Sequence, residues 1–391
     1  METRRRRVFI TVAEVSGDKH AAQLIYSLKK ADPEIVVEGL GGPEMEAAGA
    51  VIHRNTVTKA AMGWRGALRA FEMMDALKWV RDRFDHQRPD LQIGVDSPSL
   101  NFHFARVAHE RGIPVLQYVA PQLWAWAPWR MKKLRKWVDH VACILPFEES
   151  YFRAHGVNAS FVGHPLFDQL PEDRESLRSN ECFPKIAPVI GILPGSRKSE
   201  ATANFPHMRD VGRRIVEEFP DATFLVPTTA GTHPVVEEWV RRSPGLKLTV
   251  GPDQFDEMVP KCDLCLTVSG TATLHVAAYG VPMIVVYRAS ALQWNLAGRW
   301  LLKARTFALV NVLANGGQVR GGTHLVPEFV PWYGSNEPVA REALGMLKEP
   351  SKLEVQRRKL RELVATLDKP GGSDNVAKLA LSMMEEKKAS V

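Results

Sequence analysis

The 391-residue sequence predicts an α/β protein of two Rossmann-like, doubly wound domains facing a central cleft. Three observations carry this. Short β-rich runs alternate with longer amphipathic stretches through both halves, the pattern of parallel α/β units. A weakly apolar, proline-punctuated segment separates the halves. Loops rich in Gly, Ser and charged residues directly follow the strand runs, where open α/β sheets bind ligands.

In the first half the strand runs are 8–13, 35–39, 91–95, 115–119, 141–145 and 160–162, with helical patterns such as 20–30 and 102–111 between them. In the second half they are 189–193, 223–226, 247–250, 264–268 and 283–286, with helical patterns at 205–218 and 235–242. The stretch from Asp168 to Pro188 contains Pro171, Pro184 and Pro188 and reads as a linker. It sets a first domain at 1–168 and a second at 188–365. Residues 366–391 form a charged helical tail, broken from the second domain at Lys369-Pro370-Gly371-Gly372.

Composition excludes some classes. With 45% hydrophobic and 24% charged residues, the chain is an ordinary globular protein rather than a disordered one. Lys and Arg number 51 against 44 Asp and Glu, a net charge of +7. That excess favours phosphates, nucleotides, anionic lipid surfaces or nucleic acid. Four cysteines are too few for a secreted disulfide framework, which fits a reducing cytoplasm. Cys262 and Cys265 have C-x-x-C spacing, but no second Cys or His pair completes a metal site. They read as strand core, with side chains on opposite faces. The apolar run 8–13, behind the arginines at 4–7, is too short for a signal-peptide core. No run approaches the roughly 18 apolar residues of a membrane span, so membrane contact is expected to be peripheral.

Glu14-Val15-Ser16-Gly17-Asp18 follows the first strand and opens a helix, whose N-terminus favours negative charge. The same residues also make a plain N-cap. In the second half, Leu193-Pro194-Gly195-Ser196-Arg197 occupies the equivalent place, and Arg197 offers a donor fork suited to diphosphate oxygens. Ser269-Gly270-Thr271-Ala272-Thr273 opens another helix with small residues that suit a phosphate cradle, or an ordinary capped turn. Neither loop is a Walker motif or a G-x-G-x-x-G fingerprint, so no nicotinamide cofactor is indicated. Asp96, at the end of the strand run 91–95 and ahead of Pro98, is a candidate general base or a turn former.

Two segments are unusual in their aromatic and apolar content. Trp124, Trp126 and Trp129 precede the basic run Lys132-Lys133-Leu134-Arg135-Lys136, a combination suited to sugars, bases or lipid headgroups. No nucleic-acid motif accompanies it, and nucleic acid is not expected as a partner. The segment 60–84 repeats apolar residues at helical spacing, including Trp64, Leu68, Phe71, Met74, Leu77 and Val80. It reads as a core helix, with shallow membrane insertion as the alternative.

Taken together and in order, these motifs resemble the lipid-A-disaccharide synthase family over about 320 residues. Further matching pieces are Gly41-Gly42-Pro43, Pro121 to Trp126, Ile144-Leu145-Pro146-Phe147-Glu148, Val162-Gly163-His164-Pro165, Asn311 and Val326-Pro327-Glu328. The resemblance implies a GT-B fold and an inverting glycosyltransferase that needs no metal or other cofactor. It implies UDP-2,3-diacylglucosamine as donor and 2,3-diacylglucosamine 1-phosphate as acceptor. The products would be the β-1′,6-linked lipid A disaccharide 1-phosphate and UDP. Asp96, Arg197 and Asn311 match the family's catalytic residues. Ser16, Gly17, Asp18, Gly195, Ser196, Ser269, Gly270, Thr271 and His275 fall in stretches assigned to the nucleotide sugar. The expected location is the cytoplasmic face of the inner membrane, on an anionic surface.

The sequence departs from the family pattern at His275, where Glu is usual at a position that holds a ribose. Ala21 replaces a frequent Gly, and 316–323 reads as an insertion. Rival readings are another GT-B nucleotide-sugar enzyme, of the UDP-N-acetylglucosamine epimerase or muramyl-lipid transferase type, or a non-catalytic membrane or nucleic-acid binder.

Overall fold

The computed structural model describes residues 5–57, 66–171, 186–288, 305–367, 369 and 371–389. Residues 60–65 of the 60–84 segment, Trp64 among them, lie outside the described residues, as do the side chains of 66–71. The chain forms two compact units, Met1–Gln169 with Leu367–Val391, and Leu170–Thr366.

The first unit is a seven-stranded parallel sheet in the order β3-β2-β1-β4-β5-β6-β7. Its strands are β1 (Arg7–Thr11), β2 (Val36–Gly41), β3 (Val51–Asn55), β4 (Leu91–Val95), β5 (Val115–Tyr118), β6 (His140–Cys143) and β7 (Ala159–Phe161). Its helices are α1 (Val15–Ala31), α2 (Pro43–Ala47), α3 (Gly66–His86), α4 (Pro98–Glu110), α5 (Met131–Trp137) and α6 (Pro146–Ala154). Strand periodicity of two sorts the core into two layers. Val8 and Ile10 face one layer with Leu24 and Leu28 of α1, while Phe9 faces the other with Val80, Phe84 and Phe104. The described part of α3 is a core helix on its Ala76, Val80 and Phe84 side, and Met74 stands out at 69% exposed.

The second unit is a six-stranded parallel sheet in the order β10-β9-β8-β11-β12-β13. Its strands are β8 (Val189–Leu193), β9 (Thr223–Thr228), β10 (Lys247–Pro252), β11 (Leu264–Thr267), β12 (Met283–Arg288) and β13 (Glu328–Trp332). Its helices are α7 (Lys198–Glu218), α8 (His233–Arg241), α9 (Phe255–Met258), α10 (Thr271–Ala278), α11 (Leu309–Ala314), α12 (Glu337–Lys348) and α13 (Pro350–Ala365). Ile190, Ile192, Phe205, Phe224, Leu264 and Leu266 are fully buried in its core.

Each sheet reverses strand order once, between β1 and β4 and between β8 and β11. These switch points place the carboxyl ends of two neighbouring strands beside an open crevice. Strands β3 and β13 were not anticipated. Both are edge strands with little full burial, and β13 carries Pro331, so neither shows the apolar run that marks the inner strands. Cys262 and Cys265 do not point to opposite faces of one strand. Cys262 precedes β11, and both thiols pack over Gly191, where a methyl would lie 3.1 Å and 2.5 Å from their sulfurs.

The tail helix α14 (Gly372–Ala389) packs into the first unit, where Val376, Ala380 and Met384 join the Val8 layer. Asp168 anchors its start. The carboxylate accepts the backbone N–H groups of Gly371 (3.1 Å), Gly372 (3.0 Å) and Ser373 (2.9 Å). A carboxylate at a helix N-terminus meets otherwise unpaired donors and the positive end of the helix dipole. Replacing Asp168 with Ala is expected to destabilise the protein by about 1–2 kcal/mol, the usual cost of a lost cap. Urea unfolding followed by circular dichroism measures it, and hydrogen exchange should rise first in α14.

Candidate functional site

In the first unit the strand-end loops rest on a buried set of side-chain amides. Thr11 donates to Asn101 Oδ1 (2.8 Å) and accepts from Gln92 Nε2 (3.0 Å). Asn101 Nδ2 reaches the carbonyls of Val95 (3.0 Å) and Asp96 (2.6 Å), and Gln117 Nε2 reaches the Asp96 carbonyl (3.2 Å). These bonds hold three non-glycine residues in the left-handed region: Asp96 (φ 52°), Ser97 (φ 41°) and Val119 (φ 61°). Such backbone costs about 1–3 kcal/mol per residue and persists where its surroundings over-determine it. Gly94 makes room, since a methyl there would meet Gln117 Oε1 at 2.9 Å and Asn101 Cβ at 3.0 Å. Asp96 is half-buried at the carboxyl end of β4, and a methyl on Gly17 would lie 3.7 Å from its Cβ. The structure thus brings Gly17 and Asp96 together at the switch point.

The other residues of the first loop divide. Ser16 is exposed. Asp18 is buried, and its carboxylate accepts the backbone N–H groups of Gly42 (2.9 Å), Glu44 (3.0 Å) and Met45 (3.4 Å), so it fastens the start of α2. His20 is neutral over most of the pH range. Burial, aided by Lys19, lowers its pKa to about 4. Its Nδ1 is buried without a partner among the described residues. His164 is buried and accepts the Leu166 N–H on Nδ1 (3.1 Å).

The aromatic loop is fastened from beneath. Trp124 Nε1 donates to Glu148 Oε1 (3.1 Å), and the Leu145 N–H donates to Glu148 Oε2 (3.2 Å). Burial nevertheless pushes the Glu148 carboxyl up to about 8. Outward from this anchor, Trp126 is 39% and Trp129 64% exposed, and the Arg130 guanidinium lies 4.8 Å from the Trp126 ring centroid. Lys132, Lys133, Arg135 and Lys136 are exposed beside them on α5.

In the second unit, Gly195 (φ 118°) follows β8, and a methyl there would lie 2.6 Å from Glu200 Cβ. Both facts demand glycine. Arg197, exposed at the start of α7, pairs with Glu200 Oε1 (2.8 Å), and the Ser196 carbonyl accepts from Thr229 Oγ1 (3.4 Å). Gly270 (φ 115°) stands at the start of α10 with open space where a side chain would be, beside exposed Thr271 and half-buried Ser269. Thr273 donates to the Gly270 carbonyl (2.8 Å) and closes the turn.

Asn311 is fully buried. Its Nδ2 donates to the Val326 carbonyl (3.0 Å) and Glu328 Oε2 (2.9 Å), and its Oδ1 accepts the Val326 N–H (2.9 Å). The residue clamps the Val326-Pro327-Glu328 segment onto α11. Asn315 organises the 316–323 segment, exchanging two hydrogen bonds with the Thr323 backbone (3.0 and 3.1 Å). His275 is paired with Asp256, which the sequence did not suggest, as the two lie 19 positions apart. Among the described residues no group of three His, Cys, Asp or Glu is placed to hold a metal ion. None of the described helices is long and apolar enough to cross a membrane.

A family model described as lipid-A-disaccharide synthetase matches residues 8–380. A lipid-A-disaccharide synthase of Nitrosococcus oceani is 33% identical over 98% of both chains. One from an Anaeromyxobacter species is 34% identical over 97% of both. Among solved structures, a putative UDP-N-acetylglucosamine 2-epimerase from Listeria monocytogenes superposes with a TM-score of 0.60 at 14% identity, covering 100% of this chain and 98% of its own. MurG of Acinetobacter baumannii gives 0.56 at 15% identity, covering 96% and 99%. With two parallel α/β units and these neighbours, the fold is GT-B.

Glu148 and His20 give the first unit a pH signature. The unfolded chain releases the Glu148 proton near 4.5 and the folded one near 8, so this group's contribution falls as pH rises between them. His20 works in the opposite sense, losing stability as pH falls from 6.5 to about 4, where the unfolded chain alone binds the proton. The two slopes oppose each other between 4.5 and 6.5. Thermal melts should therefore show a plateau there and a decline from 6.5 toward 8. Glu148→Gln should flatten that decline.

Proposed function

The chain belongs to the lipid-A-disaccharide synthetase family, and on that premise we propose how its two units divide the chemistry. The protein is a glycosyltransferase of lipid A biosynthesis that forms the lipid A disaccharide. In our reading the donor is UDP-2,3-diacylglucosamine and the acceptor 2,3-diacylglucosamine 1-phosphate. The observation that carries the assignment is the family match across both units, from 8 to 380.

Asp96 is the general base. It takes the proton of the acceptor 6-hydroxyl as that oxygen bonds to the donor's anomeric carbon. The bond from that carbon to the diphosphate breaks on the opposite side, the electron pair leaves with UDP, and the configuration inverts. The left-handed backbone at Asp96 and Ser97 supports this role, because strain at a strand end is a common way to aim a reactive side chain. Gly17 gives the base close packing against the first loop. In the second unit, Arg197 and the N–H groups at Gly195, Ser196 and Ser269 to Thr271 receive the diphosphate. Preorganised donors of this kind stabilise charge that grows on a leaving group. Asp18 and Asn311 serve the site through backbone, by holding the 41–45 and 326–328 segments.

The acyl chains of the substrates require a lipid surface. Trp126 and Trp129, with the cations of α5 and with Met74, form the exposed aromatic, basic and apolar groups that suit a headgroup region. We place the protein at the cytoplasmic face of the inner membrane by this contact.

Asp96→Asn is expected to lower turnover of donor and acceptor by about a hundredfold to ten-thousandfold, the range for loss of a general base, with UDP affinity retained. Turnover within about threefold of the parent would assign the base elsewhere. For the surface reading, vesicle flotation with phosphatidylglycerol is the measurement. Serine at both Trp126 and Trp129 should reduce flotation at all salt concentrations. Neutralising Lys132, Lys133 and Lys136 should reduce it mainly at low salt, since screening acts on the charge term alone.

A further inference from the structure

Asp256 has no part in the chemistry above, yet it holds one of the candidate nucleotide-binding residues. Helix α9 follows the edge strand β10, and α10 follows β11, the fourth strand from that edge. Side chains join the two helices. His275 Nε2 lies 2.7 Å from Asp256 Oδ1, and Tyr279 donates its hydroxyl to the same oxygen at 2.8 Å. The imidazole is stacked on Phe255 at 4.1 Å and 23°, with Tyr279 at 5.8 Å and 23°. The ring is thus fixed in position and in rotation.

This pairing decides which nitrogen carries the proton. The hydrogen bond from His275, opposed in part by burial, holds the Asp256 carboxyl below its usual range, so it is an anion near neutral pH. A carboxylate accepts and does not donate, so Nε2 carries the hydrogen. In a neutral imidazole Nδ1 is then an acceptor. An unpaired histidine would divide between two tautomers, only one of which presents an acceptor there.

His275 lies one helical turn beyond Thr271, about 6 Å along the α10 axis at 1.5 Å per residue, and on the same face. A diphosphate at 269–271 leaves the sugar joined to it within reach of that turn. We propose that Asp256 is a positioning residue that fixes His275 as a hydrogen-bond acceptor for the ribose hydroxyls of the bound nucleoside diphosphate. The inference rests on the reading of the second unit as the UDP site. It accounts for a histidine at this position: one imidazole nitrogen is given to the Asp256 carboxylate, and the other does the work of an acceptor.

The test is calorimetric titration of the full chain with UDP and with 2′,3′-dideoxyuridine diphosphate, which lacks both hydroxyls. The parent protein should prefer UDP by about tenfold, the worth of one good hydrogen bond. Asp256→Ala should cut that preference to about twofold while leaving the dideoxy affinity unchanged, a pattern that a general structural defect does not produce. Asp256→Asn keeps the shape but can donate as well as accept, so it should fall between the two. In a His275→Ala background, Asp256→Ala should cost nothing further. Nitrogen-15 spectra of the imidazoles should show an acceptor Nδ1 in the parent and mixed tautomers in Asp256→Ala. An unchanged UDP preference in Asp256→Ala, or no preference in the parent, would overturn the proposal while the UDP site stands. No binding of either nucleotide by the parent would overturn the UDP site itself, and the proposal with it.

Discussion

The buried amides beneath β1, β4 and β5 are the constraint on which the first unit's strand-end loops depend. Asn101 and Gln117 give their N–H donors to the carbonyls at the ends of β4 and β5, and Thr11 and Gln92 orient Asn101 in turn. Water cannot replace these partners in the interior, so the strand ends stay turned even though Asp96, Ser97 and Val119 adopt backbone that side chains resist. The backbone turn at Asp96 is thus set by side chains buried beneath it.

The second unit reaches comparable loop geometry by another route. Its turns place glycine where φ is positive, at Gly195 and Gly270, and so carry no strain there. Glycine also leaves the backbone N–H groups uncovered, which suits an anion. A base needs a side chain at the turn, and that side chain must be held by force. A phosphate cradle needs only backbone, and glycine supplies it cheaply. On the roles proposed above, the difference between the two switch points is a difference in what each must present.

Much of this was legible in the sequence, because turn chemistry is local. The Ser-Gly-Asp, Pro-Gly-Ser-Arg and Ser-Gly-Thr loops announce themselves as strand-to-helix junctions, and the buried strands show apolar runs. The edge strands β3 and β13 lack such runs and were missed. What a motif residue does was harder to read than where it lies. Asp18 and Asn311 stand in motifs, yet their polar atoms hold backbone rather than point outward, and only the partners at 42–45 and 326–328 reveal that. The Asp256–His275 pair joins two helices that follow non-adjacent strands, and no spacing rule connects them.

The chain leaves the first unit at Gln169 and returns to it at Leu367, so the second unit is inserted in the first. During synthesis the order of completion is then inverted. Residues 170–366 can emerge and close their own sheet while the Val8 layer still lacks Val376, Ala380 and Met384. Part of one apolar face of the earlier-made sheet, beside α1, must wait for residues 372–389 to clear the ribosome. A message cut short after residue 366 would thus damage the part of the protein that was translated first.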